Sequence, residues 1–165
     1  MAISTNSIIH YTNSLEKLKC IIKEGFKVKY CLEDLFLKDD TEKTWAFPMV
    51  CYCDIPFTEI KNHLDSYGYY GIGLAKKWAS SKGLNPVIYL EKHSDIGGTL
   101  FKHISSFLKE GKKIEELEVS AVWDYFKICS YLKNYEGQIT KGNEVIENYR
   151  FYNEREWRYV PSTEV

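Results

Sequence analysis

Residues 7–30 run Ser7-Ile8-Ile9-His10-Tyr11-Thr12-Asn13-Ser14-Leu15-Glu16-Lys17-Leu18-Lys19-Cys20-Ile21-Ile22-Lys23-Glu24-Gly25-Phe26-Lys27-Val28-Lys29-Tyr30. Ser7–Thr12 has the β-branched and aromatic enrichment of a short buried strand. Asn13 or Ser14 then caps a helix in which Leu15, Leu18, Ile21 and Ile22 recur at helical spacing, and Gly25 stands where the helix should stop. Phe26–Tyr30 alternates apolar and polar residues, so a strand with one buried face follows. The unit is strand, helix, strand.

The pattern does not continue as strict βαβ alternation. Residues 33–47 are acidic and weakly patterned, which predicts a loop or short helix that covers a cleft and is closed by Pro48. Met49–Cys53 reads as an interior strand, Phe57–Asp65 as a helix, Tyr67–Leu74 as a glycine-interrupted strand, and Ala75–Ala79 as a helix stopped by Gly83. A strand at Val87–Leu90 precedes two amphipathic helices, about 99–109 and about 114–132, which form a helical insertion over about 95–132. Residues 134–148 read as a mobile polar loop, and a last strong strand runs from about Arg150 to Val160. This order predicts an α+β fold, a strongly bent or split mixed β-sheet with flanking helices. No repeat or boundary divides residues 1–165, so a single domain is expected.

At 165 residues, 44% hydrophobic and 27% charged, the chain can bury a core, and it holds no apolar window of membrane-spanning length. The N-terminus lacks a basic segment followed by an apolar one, so no secretion signal is read and a cytoplasmic location is expected. The five cysteines are then expected to be reduced, with Cys51 and Cys53 on one face of one strand rather than in a metal motif. His63, His93 and His103 have no ligand spacing, and no metal site is expected. A net charge of -1 gives no bulk case for nucleic acid or an anionic membrane as partner.

Three places hold residues suited to chemistry. In Phe151-Tyr152-Asn153-Glu154-Arg155-Glu156-Trp157-Arg158-Tyr159, strand alternation puts Tyr152, Glu154, Glu156 and Arg158 on one side. Two neighbouring carboxylates raise each other's pKa unless a cation intervenes, and they suit hydrogen bonding to a ribose or general-base work; a solvated edge with Arg158 paired to Glu156 is the alternative. His10, on a strand central to any sheet, reads either as a core histidine bonded to backbone or as a donor to a ligand. Tyr67-Gly68-Tyr69-Tyr70-Gly71-Ile72-Gly73 reads as a bulged strand under a helix or as close approach to a ligand, with Tyr69 or Tyr70 as a stacking face.

Taken together, His10-Tyr11-Thr12 with its helix and Gly25, Cys51-Tyr52-Cys53-Asp54-Ile55-Pro56, Tyr70-Gly71-Ile72-Gly73-Leu74 through Trp78, Asn85-Pro86-Val87 and the 151–159 block resemble the AbiGi family of abortive phage-infection proteins, described as the antitoxin component of a two-gene system. The resemblance implies phage defence with a cognate toxin as protein partner. A more remote likeness is to ADP-ribosyltransferases of the DarT type, which implies an ADP-ribosyltransferase-like fold with NAD as cofactor. In that likeness His10 and Thr12, with Tyr11 between them, hold the nicotinamide ribose or amide, and Tyr69 or Tyr70 stacks on nicotinamide. Glu154 or Glu156 stabilises the oxocarbenium-like centre, with Arg158 on the same face. Three functions follow as expectations: an antitoxin or regulatory partner of a toxin, an active NAD-dependent ADP-ribosyltransferase, and a non-catalytic nucleotide or nucleic-acid sensor.

Overall fold

The first strand and helix of the opening are present in a computed structural model that describes residues 4–36, 42–109, 119–141 and 144–162, while the strand expected over Phe26–Tyr30 begins only at Lys29. Strand β1 (Ser7–Thr12) leads to helix α1 (Leu15–Glu24), where the Ser14 hydroxyl accepts from the Lys17 N–H and Gly25, at φ 84°, ends the helix. Strands β2 (Lys29–Phe36) and β3 (Glu42–Cys53) form a long antiparallel hairpin. A 3₁₀ turn at Phe57–Glu59, helix α2 (Lys61–Tyr67), strand β4 (Tyr70–Ala75) and helix α3 (Lys76–Ser81) follow. Then come β5 (Asn85–Pro86), β6 (Ile88–Leu90), α4 (Asp95–Lys109), α5 (Val119–Ser130) and β7 (Leu132–Asn134). Strands β8 (Gly137–Lys141) and β9 (Glu144–Tyr149), a 3₁₀ turn at Phe151–Glu154 and β10 (Glu156–Tyr159) complete the chain.

The main sheet has the order β4-β1-β3-β10-β5, with β2 also on β3. Every pairing in it is antiparallel, and among the described residues parallel pairing is confined to β6 with β7, so the mixed sheet predicted for the core is corrected to an antiparallel one. The sheet is split. Strand β1 pairs with β4 along its whole length but meets β3 at one register pair, Ile9 opposite Cys53, while β2 takes the stretch of β3 from Glu42 to Met49. The two faces carry separate cores. Ile8, Val50, Tyr52, Ala79 and Leu84 pack on one, while Leu35, Phe47, Met49, Leu90, Cys129 and Leu132 pack on the other.

Several predicted elements change. Residues 33–47 belong largely to the β2–β3 hairpin: Leu35, Phe47 and Met49 are buried on the inner face while Tyr30, Leu32 and Thr44 alternate outward, a pattern that the inward-facing Glu33 disguised. Pro48 lies inside β3 opposite Tyr30 and does not close a loop. Pairing with β10 stops at Val50, so beyond it a residue lacking an N–H can sit without cost to that ladder. The expected loop at 134–148 is mostly the β8–β9 hairpin, and Tyr67 ends α2 rather than starting a strand. The last strand is broken: Phe151–Glu154 is a 3₁₀ turn, and Arg155, left-handed at φ 44°, redirects the chain into β10. Residues 114–118 of the expected second insertion helix lie outside the described residues, and Leu132 has passed into β7.

All five cysteines are unpaired. No described helix is long and apolar enough to cross a membrane.

Gly68 is where the split sheet tolerates no side chain. It sits at φ 105°, and a Cβ there would lie 2.3 Å from the Thr12 carbonyl oxygen. Gly73 on β4 faces open space and has no such constraint. Gly68→Ala should therefore cost at least about 2 kcal/mol and Gly73→Ala within about 0.5 kcal/mol, as read by urea unfolding. Equal effects would mean that β1 and the α2–β4 turn do not approach this closely.

Candidate functional site

The split leaves a cavity of about 600 Å³ where β1, β2 and β3 meet, lined also by α2, β7, β8 and the 3₁₀ turn before β10. Its charged floor is built by β10 and its neighbours. Register places Glu156 opposite Cys53 and Arg158 opposite Cys51, so both side chains leave the same sheet face. Arg155, in its left-handed turn, reverses the chain just before, which brings Glu154 to that face by a different route from strand alternation.

Lys133, on the short strand β7, reaches both carboxylates. Its Nζ is 2.7 Å from Glu156 Oε2, 3.3 Å from Glu154 Oε2 and 3.8 Å from Glu33 Oε1. Arg158 is fully buried and spends its whole fork of donors. Nε and Nη2 go to Glu156 at 2.6 and 3.3 Å, Nη2 also to Glu33 at 2.6 Å, and Nη1 to the Ser130 and Leu132 carbonyls at 2.6 and 3.3 Å. The Glu154 Oε1 accepts from the Tyr67 and Tyr149 hydroxyls at 2.6 and 3.1 Å. The Glu156 N–H donates to the Tyr89 hydroxyl, fixing the start of β10.

Three carboxylates thus share two cations in a desolvated pocket. Burial pushes the Glu156 carboxyl up, but Lys133 and Arg158 outweigh it and hold it at about 2. Burial pushes Lys133 down, yet Glu156, Glu33 and Glu154 raise it well above the usual lysine range. For Glu33 burial wins, and its carboxyl is raised despite Lys133 and Arg158. Burial likewise raises the Tyr67 and Tyr149 phenols, helped by the Glu154 charge.

The predicted site residues divide. Glu154 and Glu156 line the cavity, as do Tyr11 and His10. The His10 ring, however, belongs by register with Tyr52 and Trp157, opposite the face of Glu156. It packs edge-on against Phe26 and Tyr52, and its Nδ1 donates to the Cys51 carbonyl at 2.7 Å, where β1 has left β3. Because a carbonyl only accepts, that nitrogen carries the proton, and burial lowers the imidazole pKa toward the neutral form. His10 therefore bridges the split with a backbone bond, the core-histidine alternative. Thr12 is buried beside Gly68, Arg158 lies behind the cavity wall, and Tyr69 and Tyr70 are exposed on the far side of α2, with Tyr69 bonded to Asp65. None of these four lines the cavity.

Sequence reasoning missed Lys133, Glu33, Tyr67 and Tyr149. One signal pointed to the first: a buried strand bearing Glu154 and Glu156 against Arg158 alone is a cation short, so another Lys or Arg had to come from elsewhere in the chain. Among the described residues no group of three or more His, Cys, Asp or Glu side chains could hold a metal ion.

The fold and site define an α+β domain whose split antiparallel sheet encloses a carboxylate-rich cavity locked by buried ion pairs. The family described as "Putative abortive phage resistance protein AbiGi, antitoxin" matches residues 24–165. The abortive phage resistance protein AbiGi of Lactococcus lactis subsp. cremoris is 31% identical over 157 residues, covering 85% of this chain and 63% of that protein. The chain belongs to the AbiGi family of abortive phage resistance proteins. It spans a little under two thirds of that relative's length. No solved structure matches it.

Glu156 gives the site a pH signature. Its carboxyl titrates lower in the folded chain than the about 4.3 of an unfolded glutamate, so its stabilising contribution is complete above that value and is lost as pH falls toward about 2. The stability gap between the wild type and Glu156→Gln should therefore shrink by about 3 kcal/mol between pH 6 and pH 2 in stepped-pH urea unfolding. A gap that stays constant with pH would mean that Glu156 is not ionised against Lys133 and Arg158.

Proposed function

We propose that the chain serves phage defence in the cytoplasm as the antitoxin or regulatory partner of a toxin, acting as one domain through protein contact. The observation that carries this reading is the match to a family described as antitoxin, over 24–165. The geometry agrees in one respect. Tyr30 and Leu32 are 75% and 73% exposed on the outer face of the β2–β3 hairpin, beside Ala46 and Pro48, and contiguous exposed apolar side chains on a sheet are the usual mark of a protein interface.

A second reading, transfer of ADP-ribose from NAD, keeps one favourable feature: Glu154 and Glu156 face the same cavity. Against it, both carboxylates are engaged by Lys133, Arg158 and tyrosine hydroxyls, the His10 ring is on the other face, and Tyr69 and Tyr70 are remote. Both carboxylates already accept from these neighbours, which works against either as a general base. No solved structure supports an ADP-ribosyltransferase fold for the chain.

The test expresses the chain with the product of its neighbouring gene. Tyr30→Asp with Leu32→Asp should leave the fold intact by circular dichroism, abolish co-purification and lower neutralisation of that product at least about a hundredfold in a survival assay. Glu154→Gln should keep co-purification, and labelled NAD should transfer nothing to lysate, nucleic acid or the neighbouring protein. Retained neutralisation by the double variant, or NAD-dependent labelling that Glu154→Gln removes, would overturn the contact reading.

A further inference from the structure

The cavity has an unbalanced hydrogen-bonding inventory, which goes beyond the toxin-contact reading and does not depend on it. Its lining carries the carboxylates of Glu33, Glu154 and Glu156, and among the described residues Lys133 is the one lysine or arginine that lines it. Lys133 is consumed by all three of those carboxylates, and Arg158 turns its donors on the same network from behind the wall. Acceptors remain. Glu33 uses only Oε1 toward its two cations among the described residues, which leaves Oε2 as an acceptor. The Tyr11 hydroxyl is buried with no hydrogen-bond partner among the described residues, although a buried polar atom normally has one, and Tyr11 lines the cavity.

The walls supply the complement to those acceptors. Tyr11, Tyr67 and Phe151 line the cavity, and His63 stacks on Tyr67 with ring centroids 4.4 Å apart. Aromatic walls with carboxylates at one end attract a cation through both the ring quadrupole and the charge. An anion entering the same space would meet carboxylates that already outnumber the cations. The volume, about 600 Å³, is that of a small-molecule pocket.

We propose that the cavity at the fork of β1, β2 and β3 binds a small organic cation rich in N–H donors, of the amine or guanidine class, with Glu33 as its charge partner and the Tyr11 hydroxyl as a hydrogen-bonding wall. The ligand supplies the donors that the protein withholds and balances the surplus carboxylate without displacing Lys133.

The experiment titrates the purified chain, without any toxin, with agmatine, adenosine and AMP at low salt, read by calorimetry and by the melting temperature. Agmatine should bind saturably and raise the melting temperature with concentration, adenosine should bind at least about tenfold more weakly, and AMP should give no saturable signal. Glu33→Gln should weaken agmatine at least about tenfold. Since Glu33 also pairs with Arg158 and its variant could fail to fold, Tyr11→Phe provides an independent arm, expected to weaken agmatine about threefold or more. Absence of agmatine binding, AMP binding as tight as agmatine, or agmatine affinity unchanged in either folded variant would overturn the proposal. These outcomes are separable from failure of the toxin reading, which is scored by co-purification.

Discussion

The ammonium of Lys133, held between Glu154 and Glu156 with Arg158 behind them, is the interaction on which the architecture depends. It ties β7, whose described ladder runs to β6, to the main sheet: to β10, which lies between β3 and β5, to β2 through Glu33, and to the 3₁₀ turn carrying Glu154. Burying such groups is expensive, and an ion pair in a low dielectric repays the cost only when each donor and acceptor is met. Here the guanidinium spends its donors on two carboxylates and two backbone carbonyls, and the Glu154 oxygens are shared between an ammonium and two phenols. Losing either cation would leave carboxylates uncompensated in the interior.

The same constraint shapes the cavity. A sheet in which β1 ran beside β3 over its full length would fill the space that the charged groups border. Strand β1 instead leaves β3 after Ile9, and the Cys51 carbonyl that would have gone unpaired is taken by the His10 imidazole. The side chain that resembles a transferase residue in the sequence is thereby spent on the sheet. What remains is a pocket suited to recognition, within a chain whose family is defined by phage resistance.

How much of this was legible in the sequence depended on how local the determining contacts are. The opening β1–α1 unit was readable because Ser14, the Leu15–Ile22 periodicity and Gly25 act within a few residues of one another. The β2–β3 hairpin was not, because Glu33 faces inward and makes sense only through Arg158, 125 residues away. Alternation in 151–159 correctly joined Glu156 to Arg158 but could not foresee that Arg155 would turn left-handed and deliver Glu154 by a turn. Tyr67 was read with the glycine-rich strand; as the last residue of α2 it reaches Glu154, while Tyr69 and Tyr70, two and three residues further on, are exposed. Lys133 fell between the expected helix and the expected loop and drew no reading, because nothing nearby in the chain announces its three partners.

The most direct measurement of the central claim is a double-mutant cycle on Lys133→Met and Glu156→Gln, read by urea unfolding at neutral pH. If the two groups form one locked network, each single change should destabilise by about 3 kcal/mol or more, and the double variant should recover part of the loss, giving a coupling energy of at least about 2 kcal/mol. Additive losses, with coupling below about 0.5 kcal/mol, would contradict the account and leave Lys133 as an ordinary surface lysine.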